Sequence, residues 1–275
     1  MHRVPVVAGR RLQAQYGHFH RSPTMHADAR GPRATFLQFG LACVAALTIV
    51  ISPAQAATTG SGKPATETRN VSDFEAIALS GAMDLVVRQG SKEAVEVTAD
   101  DNLLPLLETV VESGSNGRTL HVRFKRGERV NTKGPIKVNV NVVKLSGLSA
   151  AGSGDIRVEG LKTPLLKLSV SGSSDARLNE LTTDALEVRI AGSGDVQANG
   201  AAKALKVSIA GSGDVQMSAL AADDVTVSIA GSGDAVVQAN KSLGVSIAGS
   251  GDVQYSGTAT AVRSSVAGSG QVTKK

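Results

Sequence analysis

Six aspartates recur at near-constant spacing in the second half of the chain, at positions 155, 175, 195, 214, 234 and 252. Five of them close the pentapeptide Ala-Gly-Ser-Gly-Asp, at 151–155, 191–195, 210–214, 230–234 and 248–252. Residues 171–175 are a degenerate copy, Ser-Gly-Ser-Ser-Asp, and 267–271 end the series with Gln271 in place of the acid. Successive closing positions lie 20, 20, 19, 20, 18 and 19 residues apart. Carboxylates stacked at that interval would stand ~5 Å from one another and repel by ~1 kcal/mol in water, or ~3–4 at an effective dielectric of 20. The column therefore needs solvent, N–H donors or cations. One reading has each Asp accept hydrogen bonds from its own corner as an Asx-turn, with glycines allowing the bend. The other is a calcium ladder through Asp155, Asp195, Asp214, Asp234 and Asp252, built from carboxylate, Ser and backbone oxygens. The nine-residue Gly-Gly-x-Gly-x-Asp pattern of calcium-binding β-rolls is absent.

The remaining chemistry-bearing residues are sparse. Asp223 and Asp224 could form the acid pair that sugar-chain cleavage requires. As neighbours on an extended segment they are expected to face opposite ways, as part of a polar bend. Arg123, Lys125, Arg126 and Arg129 with His121 make a basic cluster suited to a polyanion or a lipid headgroup, or simply a solvated loop. The Gly-Ser-Gly corners lack the Lys-Ser/Thr and the following helix of a phosphate loop. A Ser-His-Asp catalyst would have to use His121, and nothing in the sequence sets a particular Ser beside it. No catalytic residue, metal or cofactor is expected.

The elements that must position these residues follow from the repeat itself. Aligned on the Asp, apolar residues fall into columns. Five before it stand Val170, Ile190, Ile209, Ile229, Ile247 and Val266, and seven before stand Leu168, Val188, Val207, Val227 and Val245. One after it stand Ile156, Ala176, Val196, Val215, Ala235 and Val253. Spacing by two on both sides of a glycine corner means strands with one buried face, and identity down the columns means rung stacked on rung. Leu161, Leu181 and Leu220 mark a third short side. The expectation is an all-β, right-handed parallel β-helix of 19–20-residue rungs. With ~10 rungs at ~4.8 Å each, it would be a rod of roughly 50 Å. Propeller blades need about twice this period, and the leucine-rich consensus is missing.

The start of the chain has a different character. The first 33 residues carry six arginines and one acid, and 34–56 carry no charge, with an apolar run from Phe36 to Ile51. Pro53 follows, and the small residues of Ala54-Gln55-Ala56 fit a signal peptidase site between Ala56 and Ala57. Residues 1–56 are thus read as a secretory signal peptide, with Met25 an alternative start. The apolar run falls short of the ~20 residues of a span, so no stable membrane segment is expected after cleavage. The first 33 residues hold six of the 29 Lys and Arg and one of the 24 Asp and Glu, which leaves 23 of each in 57–275. The basic balance belongs to the targeting segment and is no argument for nucleic acid. The exported part has no Cys, one His and three aromatics, Phe74, Phe124 and Tyr255, so disulfides play no part in its stability.

Residues 57–70 are small and polar and are expected to be a flexible leader. From 71 the pattern turns strand-like, and Ser80-Gly81-Ala82-Met83-Asp84 reads as an early, imperfect copy of the repeat. Strands are expected around 94–98, 120–124 and 136–142. Residues 103–111 read as a short helix or irregular edge, and 125–134 as a solvated loop. Regular repeats start at about 145. The terminal Gln271, Lys274 and Lys275 fit an end that discourages edge pairing.

A leading strand, the turn Asp100-Asp101-Asn102-Leu103-Leu104, a basic loop and serial Gly-Ser-Gly-Asp corners resemble the bacterial family called putative auto-transporter adhesin, head GIN domain, over about 71–270. The resemblance implies an exported β-helix, shaped like pectin lyases but without their catalytic residues, with a role in adhesion. No residues follow Lys275 to make a membrane barrel translocator, so self-translocation is not expected. The expected function is a non-enzymatic adhesion or cell-envelope module in the periplasm or on the surface of a Gram-negative bacterium, with surface glycans or proteins as partners. A pectin-lyase-like carbohydrate enzyme and a periplasmic stress or scaffolding component are the alternatives. Tyr255 and the Gln197, Gln216 and Gln254 column mark one face to test.

Overall fold

A computed structural model describes residues 57–114 and 117–275; the expected signal peptide, 1–56, and with it the Ala56 side of the expected cleavage junction, lie outside them. The chain enters with β1 (Thr58–Thr59) and β2 (Pro64–Arg69), then makes the first solenoid turn with β3 (Ala76–Gly81) and β4 (Asp84–Gln89). It next leaves the solenoid for β5 (Ala94–Asp100), a single 3-10 turn (Leu104–Leu106), β6 (Leu107–Gly114), β7 (Gly117–Phe124), β8 (Val130–Asn131) and β9 (Lys137–Val142). β10 (Gly147–Gly152) and β11 (Asp155–Glu159) return it to the stack, lying in parallel register on β3 and β4, with Gly152 on Gly81 and Ile156 on Leu85. From there the turns run on through β12 (Lys162–Gly172), β13 (Asp175–Gly192), β14 (Val196–Gly211), β15 (Val215–Gly231) and β16 (Ala235–Gly249). β17 (Val253–Ser256), β18 (Ala261–Gly268) and β19 (Val272–Lys274) complete the last turn.

This is the parallel β-solenoid that the repeat predicts, with glycine standing on glycine from Gly81 through Gly152, Gly172, Gly192, Gly211, Gly231 and Gly249 to Gly268. Eight corners stack instead of the ten rungs expected, because residues 90–146 build strands around the first turn. The apolar columns form the core: Leu186, Leu205, Val207, Ile209, Val227 and Ile229 are all 2% exposed or less. Burying each such side chain contributes roughly 1.5–3 kcal/mol, which accounts for a stable rod without disulfides. Leu161, Leu181 and Leu220 are buried as well, forming the third side.

The N-terminal end of the stack is closed by the excursion. β7 and β9 add one parallel strand each to β3 and β4. β6 then pairs antiparallel with β7, β5 with β9 and β2 with β5. Leu103 and Leu104, at the 3-10 turn, sit fully inside and plug the apolar end. The segment 57–70 is not the flexible leader its composition suggests. β1 pairs with β8, and β2 covers the free edge of β5, with Thr66 and Thr98 hydroxyls bonded at 2.8 Å. Its threonines are β-branched, and an otherwise open sheet edge offers them unpaired peptide groups. The same pairing pins the segment 125–134, which the sequence suggested was a solvated loop.

Candidate functional site

The Asp column lies on the outside of the rod just past each glycine corner, and its carboxylates have a defined task. The N–H of Asp195 donates to Oδ1 of Asp175 at 3.0 Å, Asp214 to Asp195 at 2.9 Å, Asp234 to Asp214 at 2.8 Å and Asp252 to Asp234 at 2.7 Å. Gln271 N–H closes the series on Asp252 at 2.8 Å, and Asp155 N–H opens it on Asp84 at 3.1 Å. Each of these carboxylates, Asp155 excepted, therefore serves the next rung rather than its own corner, which corrects the Asx-turn reading.

Backbone N–H groups alternate in direction along each strand of a parallel ladder. Ser212 N–H donates to the preceding rung, at the Gly192 carbonyl, at 2.9 Å, and Val215 N–H to the following rung, at the Asp234 carbonyl, at 2.8 Å. The Asp214 carbonyl accepts from Val196 N–H of the preceding rung at 2.9 Å. Asp214 thus turns both its N–H and its C=O toward the rung of Asp195, and the N–H meets no backbone acceptor there. The Asp195 side chain supplies one. An amide N–H without a partner would cost about 1–3 kcal/mol if shielded from water, so a short acceptor at every rung is selected by geometry. Ser174, where the later corners have Gly, breaks the pattern. It is 2% exposed and accepts from Gly154 N–H at 3.2 Å, and Asp175 N–H goes instead to the Gly154 carbonyl. Asp155 is left with Arg177, 3.8 Å away. Asp84 heads the column across the excursion, an extension visible in sequence only through the imperfect copy at 80–84.

Asp195, Asp214, Asp234 and Asp252 share a shallow trough of about 320 Å³ with Gln197, Gln216 and Gln254. The residues two after each Asp point outward again by strand alternation, so a row of carboxylates over four rungs runs beside a row of carboxamides that Val236 interrupts at the rung of Asp234. The four carboxylates are exposed, so the trough offers acceptors at a repeat of ~4.8 Å and amide donors on three of its four rungs. Among the described residues no three His, Cys, Asp or Glu side chains gather closely enough to hold a metal ion.

The other sequence candidates are brought to different places. Asp223 and Asp224 both lie on the outside, contrary to the alternation expected of them, because the register of β15 against β16 shifts at this bend. Asp223 pairs with Lys241 at 2.8 Å, raising the lysine above its ordinary pKa through hydrogen bonding and charge, and Asp224 accepts from the Ser242 hydroxyl at 2.6 Å. The basic cluster splits in two. Arg123 is held by Glu108 at 2.9 Å and Glu112 at 2.7 Å, and His121 Nε2 stands 3.6 Å from Glu112. The Arg123 hydrogen bond holds the Glu112 carboxyl below its usual range. Lys125, Arg126 and Arg129 remain exposed in the segment that follows. No helix among the described residues is long and apolar enough to cross a membrane.

The family model described as putative auto-transporter adhesin, head GIN domain, matches residues 73–259. Among solved structures, the chain is similar to a putative adhesin of Bacteroides fragilis, with 26% identity and a TM-score of 0.75 over 79% of this chain and 100% of that one. A putative adhesin of Parabacteroides merdae is 29% identical with a TM-score of 0.64, over 79% and 98% of the two chains. A protein of Parabacteroides distasonis described as a putative lipid binding protein is 25% identical with a TM-score of 0.66, over 80% and 100%. No curated protein matches the sequence.

Proposed function

Since the chain belongs to the putative auto-transporter adhesin, head GIN domain family, we propose that it is an exported, non-enzymatic adhesion module whose rod displays one shallow site many times over. The observation that carries this reading is the trough in which four carboxylates repeat along the rod beside carboxamides on three of the same four rungs. Such a row suits a partner that is itself periodic and rich in hydroxyl groups, such as a surface glycan. Each contact is weak, and linking many of them raises the apparent affinity by effective concentration. The acid pair at Asp223 and Asp224 is engaged by Lys241 and Ser242, which supports display over catalysis.

Protease treatment of intact cells, with a periplasmic control protein, tests the location. Loss of this protein while the control survives is the expected result. Protection until the outer membrane is opened would replace adhesion with a periplasmic scaffolding role. The site is tested by Gln197→Ala, Gln216→Ala and Gln254→Ala together, which should weaken binding to whole cells at least about tenfold, the product of several small losses. Unchanged binding would remove the trough from the proposal, and release of sugar products from acidic polysaccharide would replace it with an enzyme.

A further inference from the structure

The N-terminal end of the rod carries a concentration of unpaired positive charge that the adhesion reading does not use. The segment between β7 and β9 holds Lys125, Arg126, Arg129 and Lys133 against Glu128, and all five side chains are exposed. It is tied down at four points: Lys125 N–H to the Leu106 carbonyl at 2.9 Å, Arg129 C=O to Thr58 N–H at 2.7 Å, Asn131 C=O to Gly60 N–H at 2.8 Å, and Lys133 N–H to Asp100 Oδ2 at 3.2 Å. Lys133 and Lys137 line the same 300 Å³ hollow beside Gly62 and Gly134, and Lys63 follows Gly62 directly. Among the described residues none of these six cations has an acid within ion-pair distance. The nearby acids are occupied: Asp100 is buried and accepts from Lys133 N–H, and Asp101 accepts the Ser61 hydroxyl and its own neighbour's N–H. Along the stack several exposed cations pair with acids, as Lys203 does with Asp184 at 2.6 Å and Arg88 with Glu159 at 2.8 Å.

The charge and the fixed backbone of this patch select its partner. β1 pairs directly with β8, so the basic segment is held in place by the first described residues of the chain. We propose that the N-terminal end of the rod is an electrostatic contact for an anionic lipid surface, standing the rod on the membrane with its acidic trough directed away. Exposed lysines and arginines on a broad surface suit a sheet of phosphates, each contributing modestly and additively. Lys133 and Lys137 share a hollow, but Lys125, Arg126 and Arg129 are spread along the exposed segment outside it, a layout that suits a charged sheet better than one groove-bound chain.

The test uses the full chain and compares partitioning onto vesicles of phosphatidylcholine alone with vesicles containing phosphatidylglycerol. The apolar segment contributes to both, so the ratio isolates the charge effect. Joint replacement Lys63→Gln, Arg129→Gln, Lys133→Gln and Lys137→Gln should lower that ratio at least about tenfold at low salt. Arg263→Gln, Lys274→Gln and Lys275→Gln at the far end should change it less than about twofold. Replacing the three lysines of the patch by arginine should restore the wild-type ratio, which separates lost charge from lost folding. An unchanged ratio in the patch variant, or an equal fall in the far-end variant, overturns the proposal. So does patch-dependent binding of soluble polygalacturonate without any preference for the anionic vesicles, which would assign the surface to an acidic polysaccharide.

Discussion

The two ends of the rod are finished differently. At the start, the residues between β4 and β10 leave the stack, reverse direction and return, closing the edges with antiparallel β2, β5 and β6 and plugging the core with Leu103 and Leu104. At the other end β18 simply follows β16 in register, and its inward positions have nothing above them. Val262 and Val266 are 39% and 41% exposed, whereas Leu243 and Ile247 one rung below are each 1% exposed. Between the ends every rung reuses one solution. The comparison shows that repetition solves the interior of such a fold and cannot solve its boundary. A stack bonds each strand to the next, so its first and last members always need something the repeat does not contain.

The largest test of this difference is at glycine. A Cβ on Gly213 would sit 2.2 Å from the Gly194 carbonyl oxygen of the rung below, backbone that cannot move without opening the stack. Gly213→Ala should cost about 3 kcal/mol or more, read as a fall in denaturation midpoint. Gly244→Ala, on the same rod but with open space around it, should shift the midpoint by less than about 0.5 kcal/mol. Next in size, Ile229→Ala in the interior should cost about 2–5 kcal/mol, and Val266→Ala on the last rung under about 1. Equal losses would mean that the far end is covered in solution. Smaller again, Asp214→Ala should cost about 1 kcal/mol by orphaning the Asp234 N–H. Asp214→Asn keeps an acceptor and relieves repulsion, so it should be neutral or slightly stabilising at low ionic strength, and less so in 1 M salt.

The smallest effect concerns pH and separates the capped end from the stack. Asp101 is held below the ordinary carboxylate range chiefly by the Ser61 hydroxyl, and Glu112 by Arg123, and both lie in the N-terminal cap. Their folded pKa values are depressed, so their contribution is full above the ordinary carboxylate range. It is lost as pH falls through that range and below it, where the unfolded chain binds the extra protons. Mild acid should therefore loosen the cap before the stack, seen as faster amide exchange in 95–99 and 107–112 than in 205–230. Simultaneous loss of protection in both regions would show that the cap and the stack unfold as one unit.

Much of this molecule was readable from residue order. The columns of Val, Ile and Leu placed the buried faces, the glycines placed the corners, and Leu161, Leu181 and Leu220 placed the third side. Each signal is local and repeats, so coincidence is averaged away over many rungs. The cap was poorly legible for the opposite reason. Segment 57–70 is as small and polar as a linker, and its order comes from pairing with strands far along the chain, Arg69 with Val95 and Thr58 with Val130, that otherwise lack a neighbour on that edge. The division of the basic cluster was equally hidden, since β6 brings Glu108 and Glu112 to Arg123 by antiparallel pairing that no spacing announces.

The Asp column shows where sequence stops and tertiary structure begins. Its period determined that the carboxylates would stack on the outside of a parallel solenoid, because strand alternation and a fixed repeat leave no other place for them. Which N–H each carboxylate serves was decided only by the assembled stack. There the N–H of each later corner aspartate, which a regular parallel ladder would send to a carbonyl of the preceding rung, meets that rung's aspartate side chain instead, as Asp214 meets Asp195.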